Sequence, residues 1–168
     1  MIQSVKTCLS KYITFSGRAS RSEYWYFALF VFVVSVLLAI LDSIIMPETA
    51  ADDPSPGLLN GFFQLAMFLP LLAAGWRRLH DTGRPGWYLL LPVGLNLVAI
   101  IAMLTGVIAF SALETQSANP DALRGPAAFL GASGLVIVGV VQLLLALLLL
   151  WWLTRPSDPG PNAYGDPS

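Results

Sequence analysis

Five ionisable side chains crowd into the segment WRRLHDTGRPGW at residues 76–87: Arg77, Arg78, His80, Asp81 and Arg84. Guanidinium forks bind oxyanions in bidentate fashion where water is partly excluded, so a rigid basic turn of this kind suits phosphates or anionic lipid headgroups. Gly83 and Gly86 let the chain turn tightly, and Pro85 holds Arg84 extended, which favours a defined loop. Three roles are open to these arginines: topology anchors, a lipid or phosphate contact, or a contact with a partner protein. In the first role Asp81 pairs with one arginine and His80 helps close a helix C-terminus. A second basic segment, FSGRASRSEYW at residues 15–25, holds Arg18, Arg21 and Glu23. It can supply salt-bridge partners to the first if it folds back over it.

Neither segment has the makeup of a catalytic centre. His80 is the only histidine and Cys8 the only cysteine, which excludes a multi-histidine or thiol-rich metal site and an intrachain disulfide. No GxSxG elbow, HExxH helix or phosphate-cradling glycine loop occurs, so no catalytic residue, metal site or cofactor is assigned. The one enzymatic version left has His80 and Asp81 acting on a substrate held by the arginines. With 9 basic and 10 acidic residues, the charge balance gives no reason to expect a nucleic-acid partner.

The elements that must position these groups are long and apolar. The 168 residues are 56% hydrophobic and 11% charged, with a mean hydropathy of +0.70, whereas soluble domains carry about a quarter charged residues. We therefore expect an all-α integral membrane helical bundle with four transmembrane helices, forming one membrane domain over residues 1–168. The spans are read at residues 24–45, 58–76, 87–110 and 129–153, each near the roughly 20 residues that cross about 30 Å of hydrocarbon. The second is the shortest and leans on its flanking groups. Residues 1–23 form an amphipathic lead-in, with Ile2, Val5, Leu9, Tyr12 and Ile13 at helical spacing and Lys6 and Lys11 among them. That pattern suits a segment on the membrane surface or a helix touching the bundle. It lacks the shape of a cleavable signal peptide. Ser22 is the expected cap of the first span, with Glu23 in its first turn. Residues 46–57 and 111–126 are polar connections, and Pro70 is expected to kink the second span unless a neighbour satisfies the carbonyl it frees.

Eight of the nine basic residues, all but Arg124, fall in residues 1–23, 76–86 and 154–168. Basic residues beside short spans stay on the cytoplasmic side, so both termini and the central turn are assigned there. Within the spans, Asp42 lies roughly 27 Å along the first helix from Tyr24, near the outer boundary, where it can take Gln64 as a polar neighbour. Asn96 and Gln142 share a depth of about 14–17 Å and can hydrogen-bond between the third and fourth spans. Gly131, Gly134 and Gly139 offer a surface for close helix approach.

Three separated signatures, FSGRASRSEYWYFALF (residues 15–30), LPLLAAGWRRLHDTGRPGWYLLL (69–91) and PGPNAYGDP (159–167), make the chain resemble the DUF805 family of small bacterial inner-membrane proteins, the YhaH/YhaI-like group. Asp42 falls where members often carry an acidic residue, and Pro85 stands where a serine is common. The resemblance implies a multi-pass protein of the bacterial inner membrane and supplies no reaction. The leading expectation is a non-enzymatic component whose basic cytoplasmic face, with Arg18, Arg21, Arg77, Arg78, His80, Asp81, Arg84 and Tyr164, contacts anionic membrane lipids, a partner membrane protein or a second copy. The alternatives are a small oligomeric transporter or channel using Asp42, Gln64, Asn96 and Gln142, and the His80–Asp81 enzyme. Residues 161–167 are expected to form an ordered turn against the span ends, since Pro161, Asn162, Gly165 and Asp166 favour turns and Tyr164 supplies an interfacial ring.

Overall fold

The computed structural model describes residues 1–45, 57–117 and 121–166. Of the two expected polar connections, residues 46–56 and 118–120 lie outside them, as does Pro167. Every regular element is helical among the described residues: α1 (Ile2–Ser10), α2 (Arg21–Ile45), α3 (Leu58–Asp81), a short 3-10 helix (Gly86–Leu90), α4 (Leu91–Gln116) and α5 (Asp121–Thr154). Four of these stretches are long and apolar enough to cross a membrane, as the sequence predicts: Arg21–Ile45, Leu58–Asp81, Gly86–Gln116 and Leu123–Thr154. The chain forms two compact units, Met1–Trp87 with Trp152–Ser168, and Tyr88–Trp151.

In the first unit α1 packs on α2 and α3. The start of α2 is fixed by Ser20, whose Oγ accepts the Glu23 backbone N–H at 3.3 Å, so Ser20 is the cap and not Ser22. The Ser22 hydroxyl instead lies 3.1 Å from that of Ser20. The inward stripe of α2 is Phe27, Val31, Ser35 and Asp42, of which Phe27 and Val31 pack with the small Ala74 of α3. Cys8 of α1 completes a core with Phe27, Val31 and Ala74.

Pro70 sits inside α3 without an N–H, which leaves the carbonyl of Ala66, four residues earlier, without its helical donor. The Tyr12 hydroxyl donates to that carbonyl, so a tyrosine two residues past α1 repairs the gap and pins α1 to α3. At the far end of α3, Asp42 accepts the backbone N–H groups of Leu59 at 3.2 Å and Asn60 at 2.9 Å. A carboxylate from α2 thus caps the first turn of α3, where aligned N–H dipoles favour negative charge. Gly57 makes room for it, because a Cβ there would stand 2.7 Å from Asp42 Oδ2. The expected Asp42–Gln64 pair is absent: Gln64 Nε2 donates to Ser35 Oγ at 3.1 Å, one step deeper along the seam.

The second unit holds α4 and most of α5, whose side chains are exposed almost throughout, the composition and exposure of lipid-facing helices. Both run further than expected, to Gln116 and from Asp121; in α4 Ser111 and Thr115 return their hydroxyls to the carbonyls of Ile108 and Ala112, so these polar residues sit within the helix. Arg124 and Glu114 pair at 3.0 Å. The predicted Asn96–Gln142 bond is not made. Asn96 Nδ2 donates to the Pro92 carbonyl at 3.0 Å, and Gln142 Oε1 has no partner among the described residues. Nor do Gly131, Gly134 and Gly139 meet a helix, as nothing lies within 4 Å of where their Cβ atoms would stand.

Candidate functional site

The segment expected to be a polar turn from residue 76 onward is helical as far as Asp81, and Arg77, Arg78, Leu79, His80 and Asp81 are all buried. Its polar composition signals internal pairing and not solvent. The helix closes in a Schellman turn: Gly83 N–H donates to the His80 carbonyl and Arg84 N–H to the Leu79 carbonyl, both at 3.0 Å, with Gly83 at φ +70°. Gly83 is doubly required, since a Cβ would lie 2.9 Å from Asp158 Oδ2.

Asp81 is the centre of the site. Its two carboxylate oxygens receive two different guanidinium groups, Arg18 Nε on Oδ1 at 2.8 Å and Arg78 Nη1 on Oδ2 at 2.5 Å, and all three side chains are at most 1% exposed. One anion facing two cations leaves an excess of positive charge, and the last turn of α5 and the segment after it offset it with carbonyl dipoles. Arg18 donates to the carbonyls of Asp158 at 2.6 Å and Gly160 at 2.8 Å; Arg78 donates to those of Leu153 at 3.0 Å and of Arg155. Asp158 N–H in turn donates to the Asp81 carbonyl at 3.0 Å.

The rest of the tail is equally fixed. Asn162 and Gly165 exchange backbone hydrogen bonds at 3.1 Å, and Asn162 uses its side chain three times, accepting from Tyr164 N–H at 2.9 Å and donating to the His80 carbonyl at 2.9 Å and to Asp158 Oδ2 at 3.3 Å. The Tyr164 ring stacks on His80 with centroids 3.8 Å apart and planes 5° apart. His80 Nδ1 lies 3.2 Å from the Gly17 carbonyl, and because a carbonyl only accepts, Nδ1 carries the proton. The three signature segments therefore meet on one surface, with the tail ordered as the sequence suggests.

Beside this cluster, Arg77 Nη1 donates to Glu23 Oε1 at 2.8 Å, while Arg77 Nε and Nη2 are buried with no partner among the described residues. Glu23 also draws the Cys8 thiol, whose Sγ lies 3.7 Å from Oε1. Burial, and secondarily the Glu23 charge, push the Cys8 thiol up to about 11, with Arg77 pulling weakly the other way. Arg84 is half-buried, its guanidinium 5.3 Å from the centre of the Trp152 ring. Lys6, Lys11, Arg21 and Arg155 are exposed.

This arrangement pairs most of its polar groups with one another. Both Asp81 oxygens are engaged, and His80 is 8% exposed between Gly17 and Tyr164. Among the described residues no cluster of His, Cys, Asp or Glu could hold a metal ion. The polar pairs along the α2–α3 seam, Asp42 with the start of α3 and Ser35 with Gln64, are separated from Glu23 and Arg77 by the buried Phe27, Val31 and Ala74, so that seam carries no continuous polar line. Sequence reasoning singled out Arg18, Arg78, Asp81 and Tyr164 but missed Tyr12, Ser35, Asp158 and Gly160. The Pro70 gap signalled that Ala66 needed a donor; nothing in the sequence signalled which residue would supply it, nor that backbone carbonyls of the tail would complete the arginine cage.

The sequence model of the family described as "Protein of unknown function (DUF805)" matches residues 12–121. Among curated proteins, the chain is 39% identical over 83 residues to "Inner membrane protein YhaH" of Escherichia coli K12, covering 49% of this chain and 66% of that protein. It is 37% identical over 111 residues to "Inner membrane protein YhaI" of the same organism, covering 66% of this chain and 85% of the relative. No solved structure matches it.

Proposed function

The chain belongs to the DUF805 family, and we propose that it is a non-enzymatic, multi-pass component of the bacterial inner membrane that presents a basic, cytoplasmic end to anionic lipid headgroups. Both termini lie on the cytoplasmic side in this reading, by the rule that basic residues flanking short spans are retained there. One observation carries it: eight of the nine basic residues gather at the ends joined through Asp81 and the tail, and four of them, Lys6, Lys11, Arg21 and Arg155, remain exposed. Arg18, Arg77 and Arg78 are buried, so the headgroup contact moves from them to the exposed four. A partner membrane protein or a second copy, recognised by the same charges, is the competing occupant.

Each basic residue near an anionic surface contributes about 1 kcal/mol, close to fivefold in affinity. Replacing Lys6, Lys11, Arg21 and Arg155 by Gln is expected to abolish a preference for phosphatidylglycerol over phosphatidylcholine, read by native mass spectrometry of the reconstituted protein. Equal retention of both lipids by the unaltered chain would reject the reading.

A further inference from the structure

We propose that α1 is an in-plane membrane anchor that docks on an anionic bilayer surface, its Ile2–Leu9 side in the acyl boundary and its lysines among the headgroups; this rests on the reading above and names the element that performs it. The helix has three distinct sides. Val5 and Cys8 face the protein core, and Tyr12 just beyond the helix end ties it to α3. Ile2 and Leu9, seven residues or about two turns apart, share a second side and are 70% and 38% exposed, and Ile13 in the following turn is 68% exposed. The third side, with Gln3, Lys6 and Ser10, is polar and exposed.

Depth supports the same occupant. Cys8 Sγ approaches the Glu23 carbonyl at 3.9 Å, which sets α1 beside the first turn of α2, where Tyr24, Trp25 and Tyr26 follow in sequence. Amphipathic aromatics of this kind mark the membrane–water interface. An exposed apolar stripe at that level meets acyl chains, and the Tyr12 contact with Ala66, well inside α3, carries the C-terminal end of the helix toward them. Charge is complementary to anionic lipid: Lys6, Lys11 and Arg21 are exposed, and Glu23, the one acidic residue among residues 1–23, is paired with Arg77.

The test uses the full chain, in a Cys8→Ser background, with single spin labels at Ile2→Cys, Leu9→Cys and, for the polar side, Gln3→Cys. Vesicles are either phosphatidylglycerol mixed with phosphatidylethanolamine or pure phosphatidylcholine. Labels at positions 2 and 9 are expected to be relaxed by oxygen and shielded from a water-soluble nickel chelate, the label at position 3 the reverse. Depth at position 9 should be greater in the anionic vesicles, and combined Lys6→Gln, Lys11→Gln and Arg21→Gln should remove that difference. Chelate access at positions 2 and 9 equal to that at position 3 would overturn the proposal, as would dipolar broadening between singly labelled copies, which would make this side a contact between subunits. Shielded labels at equal depth in both vesicles would overturn the anionic preference. Lipid retention measured separately by mass spectrometry can fail while the labels stay shielded, so the two readings fall independently.

Discussion

Replacing Asp81 by Asn keeps the shape of the side chain and removes its charge. In the native protein that charge faces two guanidinium groups at 2.8 and 2.5 Å, with Asp81 and Arg78 at 0% and Arg18 at 1% side-chain exposure. Removing one partner of a buried ion pair costs about 3–5 kcal/mol, since the other charge is left uncompensated. Two cations are stranded here, yet the carbonyls of Leu153, Asp158 and Gly160 remain to solvate them, so the loss for the whole cluster stays within roughly the range for one pair and does not double. On the scale of soluble chains of this size, 3–5 kcal/mol corresponds to a fall of about 6–20 °C in Tm. The Arg124–Glu114 pair is the internal control: at 65% and 31% exposure it is screened by solvent, and Arg124→Gln should cost no more than about 1 kcal/mol. Thermal unfolding in detergent, followed by circular dichroism, compares the two. Adding Arg18→Met to Asp81→Asn should recover part of the loss, because it withdraws one stranded charge. Equal melting of Asp81→Asn and Arg124→Gln, or a further fall on adding Arg18→Met, would refute the electrostatic account of the cluster.

Two other outcomes follow from contacts of α1. Tyr12→Phe should destabilise by about 1 kcal/mol by orphaning the Ala66 carbonyl, and the effect should largely vanish in a Pro70→Ala background, where residue 70 regains the N–H that the carbonyl lacks; a double-mutant cycle reads the coupling. The Cys8 thiol, raised from 9.0 to about 11, holds its proton more tightly folded than unfolded, so its contribution is complete below about pH 9 and is lost as pH rises through about 11. At pH 8, maleimide should modify the folded chain far more slowly than the unfolded one, and equal rates would place the thiol in solvent.

The apolar runs made the four spans legible, since length and hydropathy alone decide whether a helix can cross a bilayer. Their ends were harder. Residues 76–81 read as a solvated turn because they carry four ionisable groups, whereas, apart from the Arg78–Asp81 pair, the partners of those groups lie more than fifty positions away at Arg18, at Glu23 and in the chain from Leu153 onward, beyond anything local periodicity records. Gln64, expected beside Asp42 by depth along the helices, is turned toward Ser35. Depth places residues on a common level; rotation about each helix axis, which packing fixes, decides whether they touch. The order of the tail was readable from its turn residues, and the ring of Tyr164 from its chemistry. That the arginines would be buried was not, because one-sided basic charge looks alike whether it faces lipid or a neighbouring carbonyl.

The clasp on Arg18 and Arg78 also imposes an order on biogenesis. Both arginines and Asp81 emerge from the ribosome well before Leu153, Asp158 and Gly160, the residues whose carbonyls share in solvating them. Until those residues are made, the nascent chain holds two guanidinium groups and a single carboxylate at the membrane boundary, with donors open to water or to quality-control machinery. A chain stopped short of residue 158 would lack the Asp158 and Gly160 carbonyls that accept from Arg18.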